Sequence, residues 1–400
     1  MINDKVAMIS TREKNITFDE KQLINDAISN AIQPGQSFTL WRAPGTRQIN
    51  LIVCQAVQEV EDFVLEDGDA GFAFAPFLPS EKKYLFPAEK IYQFDHGHEI
   101  TGTLIGDLDS EEFRSKNPVQ KPKFYCRPST INNSGTEFTQ LVNKSLQEIA
   151  DGRFEKVVAS RFKDIELNDS FDLLKAFDLL CENHPQALVS LVSSPQTGTW
   201  LGATPELLVS VDNQNTFRTV ALAGTQPFSS EVDLKSVAWT QKEIEEQALV
   251  CRYIINCFKK IRLREYEEHG PRTMVAGNVM HLKTDYEVDM KATNFPQLGS
   301  VMLKLLHPTS AVCGMPYDTA LDFLSKYEGY NREFYSGYLG PVRVNNSSQI
   351  FANLRCMQLF ENQVRLYAGA GITIDSIPEK EFDETEIKMQ NLQNLVVSQV

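Results

Sequence analysis

The sequence lacks the features that mark several large classes of protein. No run of eighteen consecutive apolar residues occurs, so no membrane-spanning helix is predicted. The first fourteen residues also lack the apolar segment of a signal peptide. Lysine and arginine form no run, and the formal net charge of -14 opposes broad binding to nucleic acids. We therefore expect a cytoplasmic protein without a membrane or nucleic-acid partner.

Paired cysteines and the common catalytic motifs are absent as well. The seven cysteines form no CxxC pair and no zinc-like spacing, so buried, reduced thiols are expected. The sequence contains no Walker loop, no dinucleotide-binding fingerprint after a first strand, no HExxH and no GxSxG. These absences exclude the commonest nucleotide-binding, zinc-peptidase and serine-hydrolase architectures.

The apolar pattern predicts an α+β fold, with neither internal repeats nor low-complexity tracts. Strands are predicted at residues 37–41, 50–57, 70–77, 156–163, 187–194, 198–212 and 216–225. Helices are predicted at residues 231–263, 295–307 and 316–328. A polar interval ends in a capping box, Ser134-x-x-Glu137, so we place a boundary at residue 135. The predicted parts are 1–135, a variable part of the β scaffold, and 136–400, a catalytic region.

The last fifty residues resemble a built anion and metal site. Alternating runs at 350–359 and 363–374 predict a hairpin, with Arg355 on its first strand. The second run contains Gly369 and Gly371, where missing side chains let a ligand approach the backbone. Glu381, Glu384 and Lys388 share one face of the helix that follows. Together they suit an anion bridged by a hard divalent cation, although each alone is more often a solvated face or simple packing.

Further candidates lie upstream, and each also has an ordinary structural explanation. Lys156 begins an apolar run, where desolvation would lower its pKa and make it a general base, although a lysine at a strand end is the commoner case. Glu206 follows Thr204-Pro205. It could be an acid whose pKa is shifted by its surroundings, or a structural residue that caps local backbone amides. Glu243 and Glu246 share a helix face and could offer carboxylates to magnesium or to solvent.

These pieces, in this order and spacing, resemble the chorismate-utilising enzymes, most closely the isochorismate synthases of menaquinone or siderophore pathways. The resemblance covers about residues 136–400. It implies large antiparallel sheets packed face to face, with helices on the outside. The segments that carry it are Lys156-Val-Val-Ala-Ser-Arg161, Gly202-Ala-Thr-Pro-Glu206, Leu222-Ala-Gly-Thr225, Leu306-His-Pro-Thr309 and Tyr367-Ala-Gly-Ala-Gly-Ile372, with Glu384 and Lys388.

The resemblance also implies roles for single residues. Lys156 would activate water for attack at C2 of chorismate, and Glu206 would protonate the departing C4 hydroxyl. Glu246 and Glu384 would bind Mg²⁺, with Glu243 and Glu381 close behind. The residues implied to bind the substrate are Gly224, Thr225, His281, Ala311, Tyr335, Arg355, Gly369 and Lys388, of which Arg355 and the Gly369 amide would hold the enolpyruvyl carboxylate.

Two positions separate the subfamilies. Ala223 stands where aminodeoxychorismate synthases carry a nucleophilic lysine, and ammonia-using relatives generally lack a lysine at the position of Lys156. The sequence therefore predicts an isochorismate synthase, an isomerase, and the segment 310–314 favours it over salicylate synthases. A salicylate synthase and a chorismate-binding protein without turnover are the alternatives. Without heptads or a long exposed apolar run, a monomer is expected.

Overall fold

Two large antiparallel sheets and six helices of nine residues or more make up the described structure. This computed structural model describes residues 29, 32, 35–94, 124–128, 135–168, 170–228, 234, 237–276 and 279–398. The helices are α1 (Gly135–Ala150), α2 (Leu173–Asn183), α3 (Gln241–Lys260), α4 (Leu298–Leu306), α5 (Tyr317–Tyr327) and α6 (Pro378–Val397). None of them is long and apolar enough to cross a membrane.

The first sheet has nine strands, and every pairing in it is antiparallel. From edge to edge its strands are β14 (Gly314–Met315), β7 (Lys156–Glu166), β18 (Gln363–Ile372), β17 (Cys356–Leu359), β9 (Gly198–Thr204), β8 (Leu188–Ser194), β1 (Ser37–Arg42), β2 (Ile49–Cys54) and β6 (Lys90–Phe94). Strands from the beginning, middle and end of the chain are therefore neighbours.

The second sheet repeats this arrangement with nine antiparallel strands. They are β12 (Glu267–Ala276), β13 (Val279–Asp289), β11 (Thr216–Pro227), β10 (Leu207–Val211), β16 (Ser348–Ala352), β15 (Tyr338–Val342), β4 (Gly71–Ala75), β5 (Lys83–Pro87) and β3 (Gln58–Val60). The strands before residue 95 thus complete both sheets, whereas the boundary at residue 135 stays a prediction.

An aromatic layer joins the two sheets. Side chains alternate between the faces of a strand, so Phe72 and Phe74 of β4 and Trp200 of β9 enter the same buried cluster. The ring of Phe74 stacks on that of Phe334, with centroids 4.1 Å apart. The neighbouring residue Leu201 belongs instead to the core on the outer face of the first sheet. Because both faces of these strands are buried, successive residues along each strand are apolar.

Helices cover the outer faces, as the resemblance implied. Met389 and Leu392 of α6, with Phe177 of α2, pack on the outside of the first sheet. Ile254 of α3 and Met302 of α4 pack on the outside of the second. The predicted α+β fold, with sheets face to face and helices outside, is confirmed.

Most of the predicted elements are present, and the predicted hairpin is confirmed by the antiparallel pairing of β17 with β18, but its first strand was predicted to be too long. The run 350–359 is two strands, β16 and β17, and these belong to different sheets. Arg355 does not lie on a strand, because it occupies the connection between them with a positive φ of 49°. The run 198–212 is likewise divided at Pro205 and Glu206 into β9 and β10. The predicted cap at Ser134 lies outside the described residues.

The aromatic layer should make the N-terminal strands indispensable to stability. Phe74→Ala removes a fully buried ring from β4 and should lower the free energy of unfolding by about 3–5 kcal/mol. Val64→Ala, at a position that is 44% exposed, is the matched control and should change it by less than about 1 kcal/mol. Urea titration measures both. Equal effects of the two substitutions would show that these strands are a dispensable addition.

Candidate active site

Two connections between the sheets are hydrogen-bonded to each other. Glu206 lies where the chain passes from β9 to β10, and Arg355 where it returns from β16 to β17. The Ala352 amide donates to the Glu206 carbonyl over 2.9 Å, and the Ala203 amide donates to the Arg355 carbonyl over 3.0 Å. These bonds bring a carboxylate and a guanidinium, distant in sequence, to one cavity between the sheets.

Glu206 is a half-buried carboxyl group with a strongly shifted pKa. Burial raises its pKa to about 7, although the charges of Lys156, Lys388 and Arg355 act in the opposite direction. None of the described residues donates a hydrogen bond to its carboxylate. At neutral pH a large fraction of Glu206 is therefore protonated, and the group can donate a proton to a bound molecule.

Lys156 lies across the cavity, at the first residue of β7. Its side chain is 4% exposed. A Cβ atom placed on Gly371 of the neighbouring strand β18 would stand 2.9 Å from its Cε and 3.3 Å from its Nζ. The glycine therefore leaves the space that the lysine occupies. Since the β18 positions 367, 369 and 371 alternate onto one face, Tyr367 and Gly369 line the cavity beside it.

Arg355 carries a half-buried charge that lacks a carboxylate partner among the described residues. Its one hydrogen bond there is long, 3.3 Å from Nη1 to the Lys388 carbonyl. Burial lowers its pKa from the ordinary value, with Tyr335, Glu384 and Glu206 acting against that shift. A guanidinium has five N–H donors, so most of its capacity remains for an anionic ligand.

The opposite wall comes from the second sheet. A register shift in β11 between Ala223 and Gln226 turns Gly224 and Thr225 toward the cavity. Gly224 has a φ of 67°, and a Cβ atom there would stand 2.9 Å from the Glu243 Cβ, so this position requires glycine. His281 donates from Nδ1 to the Gly224 carbonyl over 2.9 Å. Burial, with Arg355 nearby, lowers its pKa to about 4, so a neutral ring presents Nε2 as an acceptor.

The two glutamate-bearing helices close the remaining side. Glu246 of α3 and Glu384 of α6 both line the cavity. Lys388 binds the Glu384 carboxylate over 2.6 Å and also donates to the Gly369 carbonyl over 2.8 Å. Burial acts to raise the Glu384 pKa, but the Lys388 charge and hydrogen bond outweigh it and the pKa is lowered. Burial raises the pKa of Glu246, to which the Glu384 charge adds.

Comparison with known protein families identifies the family of the chain. A family model described as "Chorismate binding enzyme" matches residues 92–397, more than half of the chain.

The chain belongs to the chorismate-binding enzyme family.

Relatives in this family include several isochorismate synthases. The chain is 29% identical over 266 residues to isochorismate synthase EntC of Escherichia coli strain K12. The aligned region covers 65% of this chain and 67% of the relative. It is 27% identical over 266 residues to the vibriobactin-specific isochorismate synthase of Vibrio cholerae, spanning 65% and 66%. The predicted resemblance is thus confirmed, and the predicted isomerase class agrees with these relatives.

Solved structures of the family share the fold. The menaquinone-specific isochorismate synthase MenF of Escherichia coli superposes with a TM-score of 0.72 at 21% identity, covering 95% of this chain and 92% of that one. Anthranilate synthase component I of Streptococcus pneumoniae superposes with a TM-score of 0.65 at 18% identity, and the match covers 90% of this chain and 91% of that one. An isochorismate synthase and an anthranilate synthase component thus share this fold, and the reaction must be argued from the site residues.

Most of the predicted site residues lie together. The cavity is lined by Lys156, Glu206, Gly224, Thr225, Glu246, His281, Ala311, Tyr335, Arg355, Gly369, Glu384 and Lys388. Glu243 and Glu381 line an adjoining cavity instead. Each has its own partner, because Glu243 caps the start of α3 at Thr240, and Glu381 accepts from Lys242 over 3.0 Å.

A magnesium ion fits the chemistry of Glu246 and Glu384. Carboxylate oxygens are the ligands that Mg²⁺ prefers, and these two groups share one cavity wall without a hydrogen bond to Glu246 from any described residue. Among those residues no cluster of three or more potential metal ligands is assembled. A substrate carboxylate and water would have to complete such a site, as is common for magnesium.

Sequence reasoning did not single out several lining residues, notably Pro205, Leu354 and Tyr367. Tyr367 stacks on Tyr335, with centroids 5.1 Å apart and planes 13° apart, and so holds the ring of Tyr335 in place. The two-residue alternation with Gly369 was the signal that could have identified it. No pattern in the sequence points to Leu354, because this residue lies with Arg355 in a connection that was predicted to be part of a strand.

The raised pKa of Glu206 should make stability depend on pH. A carboxyl group whose pKa rises from 4.5 unfolded to about 7 folded contributes stability that is present below pH 4.5 and lost as the pH rises through 7. Glu206→Gln cannot ionise, so it should gain up to about 3 kcal/mol over the wild type between pH 5 and pH 8. Urea titrations at both pH values measure this difference. Glu155→Gln, at an exposed position, should show no such trend, and a flat Glu206→Gln difference would contradict the shift.

Proposed function

We propose that this protein is a Mg²⁺-dependent isochorismate synthase, which converts chorismate into isochorismate. The observation that supports this most is the joint presence of Lys156 and Glu206 in one buried cavity, with Glu206 partly protonated at neutral pH. Replacing a hydroxyl at one ring carbon by water at another needs one group that accepts a proton and one that donates it.

Each of the two groups has a definite part in this reaction. Lys156, when its amine is unprotonated, takes a proton from water as the water oxygen bonds to C2 of the ring. The ring double bonds shift, and the C4–O bond breaks as Glu206 gives its proton to the departing hydroxyl, which leaves as water. The reaction therefore ends with Lys156 protonated and Glu206 ionised, and proton exchange with solvent restores both groups.

The cationic groups account for the binding of a dicarboxylate. Arg355, with most of its donors unused, suits the enolpyruvyl carboxylate, which the amide of Gly369 would also contact. Lys388 adds a second positive charge at the same wall. For a substrate in the cavity, these nearby positive charges outweigh the net charge of -14, because salt screens the charges that lie farther away on the protein.

Glu246 and Glu384 would hold the metal. Bound there, Mg²⁺ would neutralise the ring carboxylate and fix its position. Glu384 already carries a lowered pKa from its contact with Lys388, so it remains ionised as a ligand. Glu243 and Glu381 lie in the adjoining cavity and would act through their effect on these two carboxylates.

Water is favoured over ammonia as the nucleophile. Lys156 is present, and the cavity residue Ala223 offers no amine that could attack the ring. The neutral His281 presents an acceptor beside the bound ring, where it could hold a hydroxyl group.

Analysis of the products from chorismate tests the proposal directly. Purified protein with Mg²⁺, without ammonium and without a lyase, should give a mixture of chorismate and isochorismate on chromatography. Lys156→Met and Glu206→Gln should each lower kcat at least about a hundredfold, because each removes one proton-transfer group. The matched controls, Lys144→Met and Glu155→Gln, lie outside the lining of the cavity and should retain activity. Salicylate with pyruvate, or unchanged chorismate, would contradict the proposal.

The metal assignment predicts a separate phenotype. Glu384→Gln keeps the shape of the side chain but removes a charge, so it should raise the Mg²⁺ concentration for half-maximal activity about tenfold or more. Calorimetric titration with Mg²⁺ in the presence of chorismate checks the same change without turnover when both proteins also carry Lys156→Met. Glu386→Gln, on the same helix but paired with Arg161 and Lys163, is the control. An unaltered Mg²⁺ requirement in Glu384→Gln would refute the assignment.

A further inference from the structure

A second cavity adjoins the catalytic one and shares three lining residues with it, Pro205, Arg355 and Lys388. Its volume is about 330 Å³, against about 110 Å³ for the catalytic cavity. This volume falls within the usual range for small-molecule sites. Its other walls come from the end of α2 and the loop after it, from Ala203 and Val275, and from α6.

The lining of this second cavity combines apolar surface with positive charge. Leu180, Ala187 and Leu392 supply apolar surface, together with Ala203 and Val275. Arg355 and Lys388 supply the charge, and none of the described lining residues is an aspartate or a glutamate. In a chain with a net charge of -14, such a lining favours a small anion with an apolar body.

The wall at the end of α2 is held in place by Arg42. This buried arginine of β1 donates to the carbonyls of His184 and Pro185 over 2.6 and 2.8 Å. It thereby satisfies carbonyl groups that the end of a helix leaves unpaired. The ring of His184 lines the cavity and has no hydrogen-bond partner among the described residues. Burial, with Arg355 and Arg42 nearby, lowers its pKa, so a neutral ring is available to a ligand.

Arg355 has enough donors to serve both cavities. Its side chain makes one long hydrogen bond and no carboxylate ion pair among the described residues. A carboxylate bound side-on uses two of the five N–H groups of a guanidinium. A second carboxylate could therefore reach another edge of the same group.

We propose that the second cavity binds a small apolar monocarboxylate, of the aryl carboxylate class, on Arg355, and that its occupancy weakens substrate binding in the catalytic cavity. The coupling arises because two carboxylates share one positive charge and repel each other. It is reciprocal, since each ligand lowers the affinity for the other by the same factor. The effect on chorismate rests on the function proposed above, whereas the binding of the aryl carboxylate does not.

Benzoate is the probe for this site. Calorimetric titration of the full chain should show benzoate binding, and Ala187→Phe, which fills the cavity with a ring, should weaken it at least about tenfold. Ala150→Phe adds the same ring at an exposed position on α1 and should bind benzoate as the wild type does. Asn183→Trp, at the exposed rim of the cavity, serves as a second filling variant if Ala187→Phe does not fold.

Titration of Lys156→Met with chorismate and Mg²⁺, at rising benzoate concentrations, measures the coupling without turnover. The Kd of chorismate should rise about fivefold or more and then reach a plateau, because both ligands bind at once. A Kd that rises without limit would place benzoate in the catalytic cavity and overturn the proposal. Benzoate binding that is absent, or equal in the wild type and the filled variants, would do the same.

The two proposals can fail separately. If chorismate is neither bound nor converted, but benzoate binds the wild type and not the filled variants, the second site stands and the proposed function is wrong. If chorismate is isomerised while the filling variants leave benzoate binding unchanged, the second site is wrong and the function stands.

Discussion

The paired connections between the two sheets are the constraint on which the site depends. Backbone hydrogen bonds from Ala352 to Glu206 and from Ala203 to Arg355 lock the outgoing and returning connections together. The Thr204 hydroxyl adds a third bond, to the Ala352 carbonyl over 2.6 Å. Because the connections pass between the sheets, the side chains of Glu206 and Arg355 are partly withdrawn from water, and both groups have pKa values shifted by burial.

The charges of the site are balanced only in part. Lys388 and Glu384 neutralise each other across 2.6 Å, as Lys242 and Glu381 do across 3.0 Å. Arg355 has no such partner among the described residues. A half-buried guanidinium without an anionic partner is costly in the free protein, and an anionic ligand that binds to it removes that cost. The charge of Arg355 therefore favours the binding of an anion in a chain that is acidic as a whole.

The sequence allowed the fold class and most of the site residues to be predicted, because both depend on local patterns. Lys156 at the start of an apolar strand, the alternating Gly369 and Gly371, and the helical spacing of Glu381, Glu384 and Lys388 are all visible in the sequence. The run 350–359 shows where such reasoning fails. The alternation of apolar and polar residues correctly predicts a strand in each half of this run. No local signal shows that the chain leaves one sheet and enters the other between Asn353 and Arg355.

The residue types and most of the strands and helices follow from the sequence alone, because the spacing of apolar residues reflects the local geometry of a helix or a strand. Which carboxylates face the cavity depends on how distant elements pack together. Glu243 and Glu246 share a helix face, yet the first caps its own helix and the second lines the cavity. Likewise Glu206 and Arg355, 149 positions apart, are brought to one cavity by backbone hydrogen bonds from Ala352 of β16 to Glu206 and from Ala203 of β9 to Arg355. Such contacts depend on long-range strand pairing, which a local pattern cannot specify.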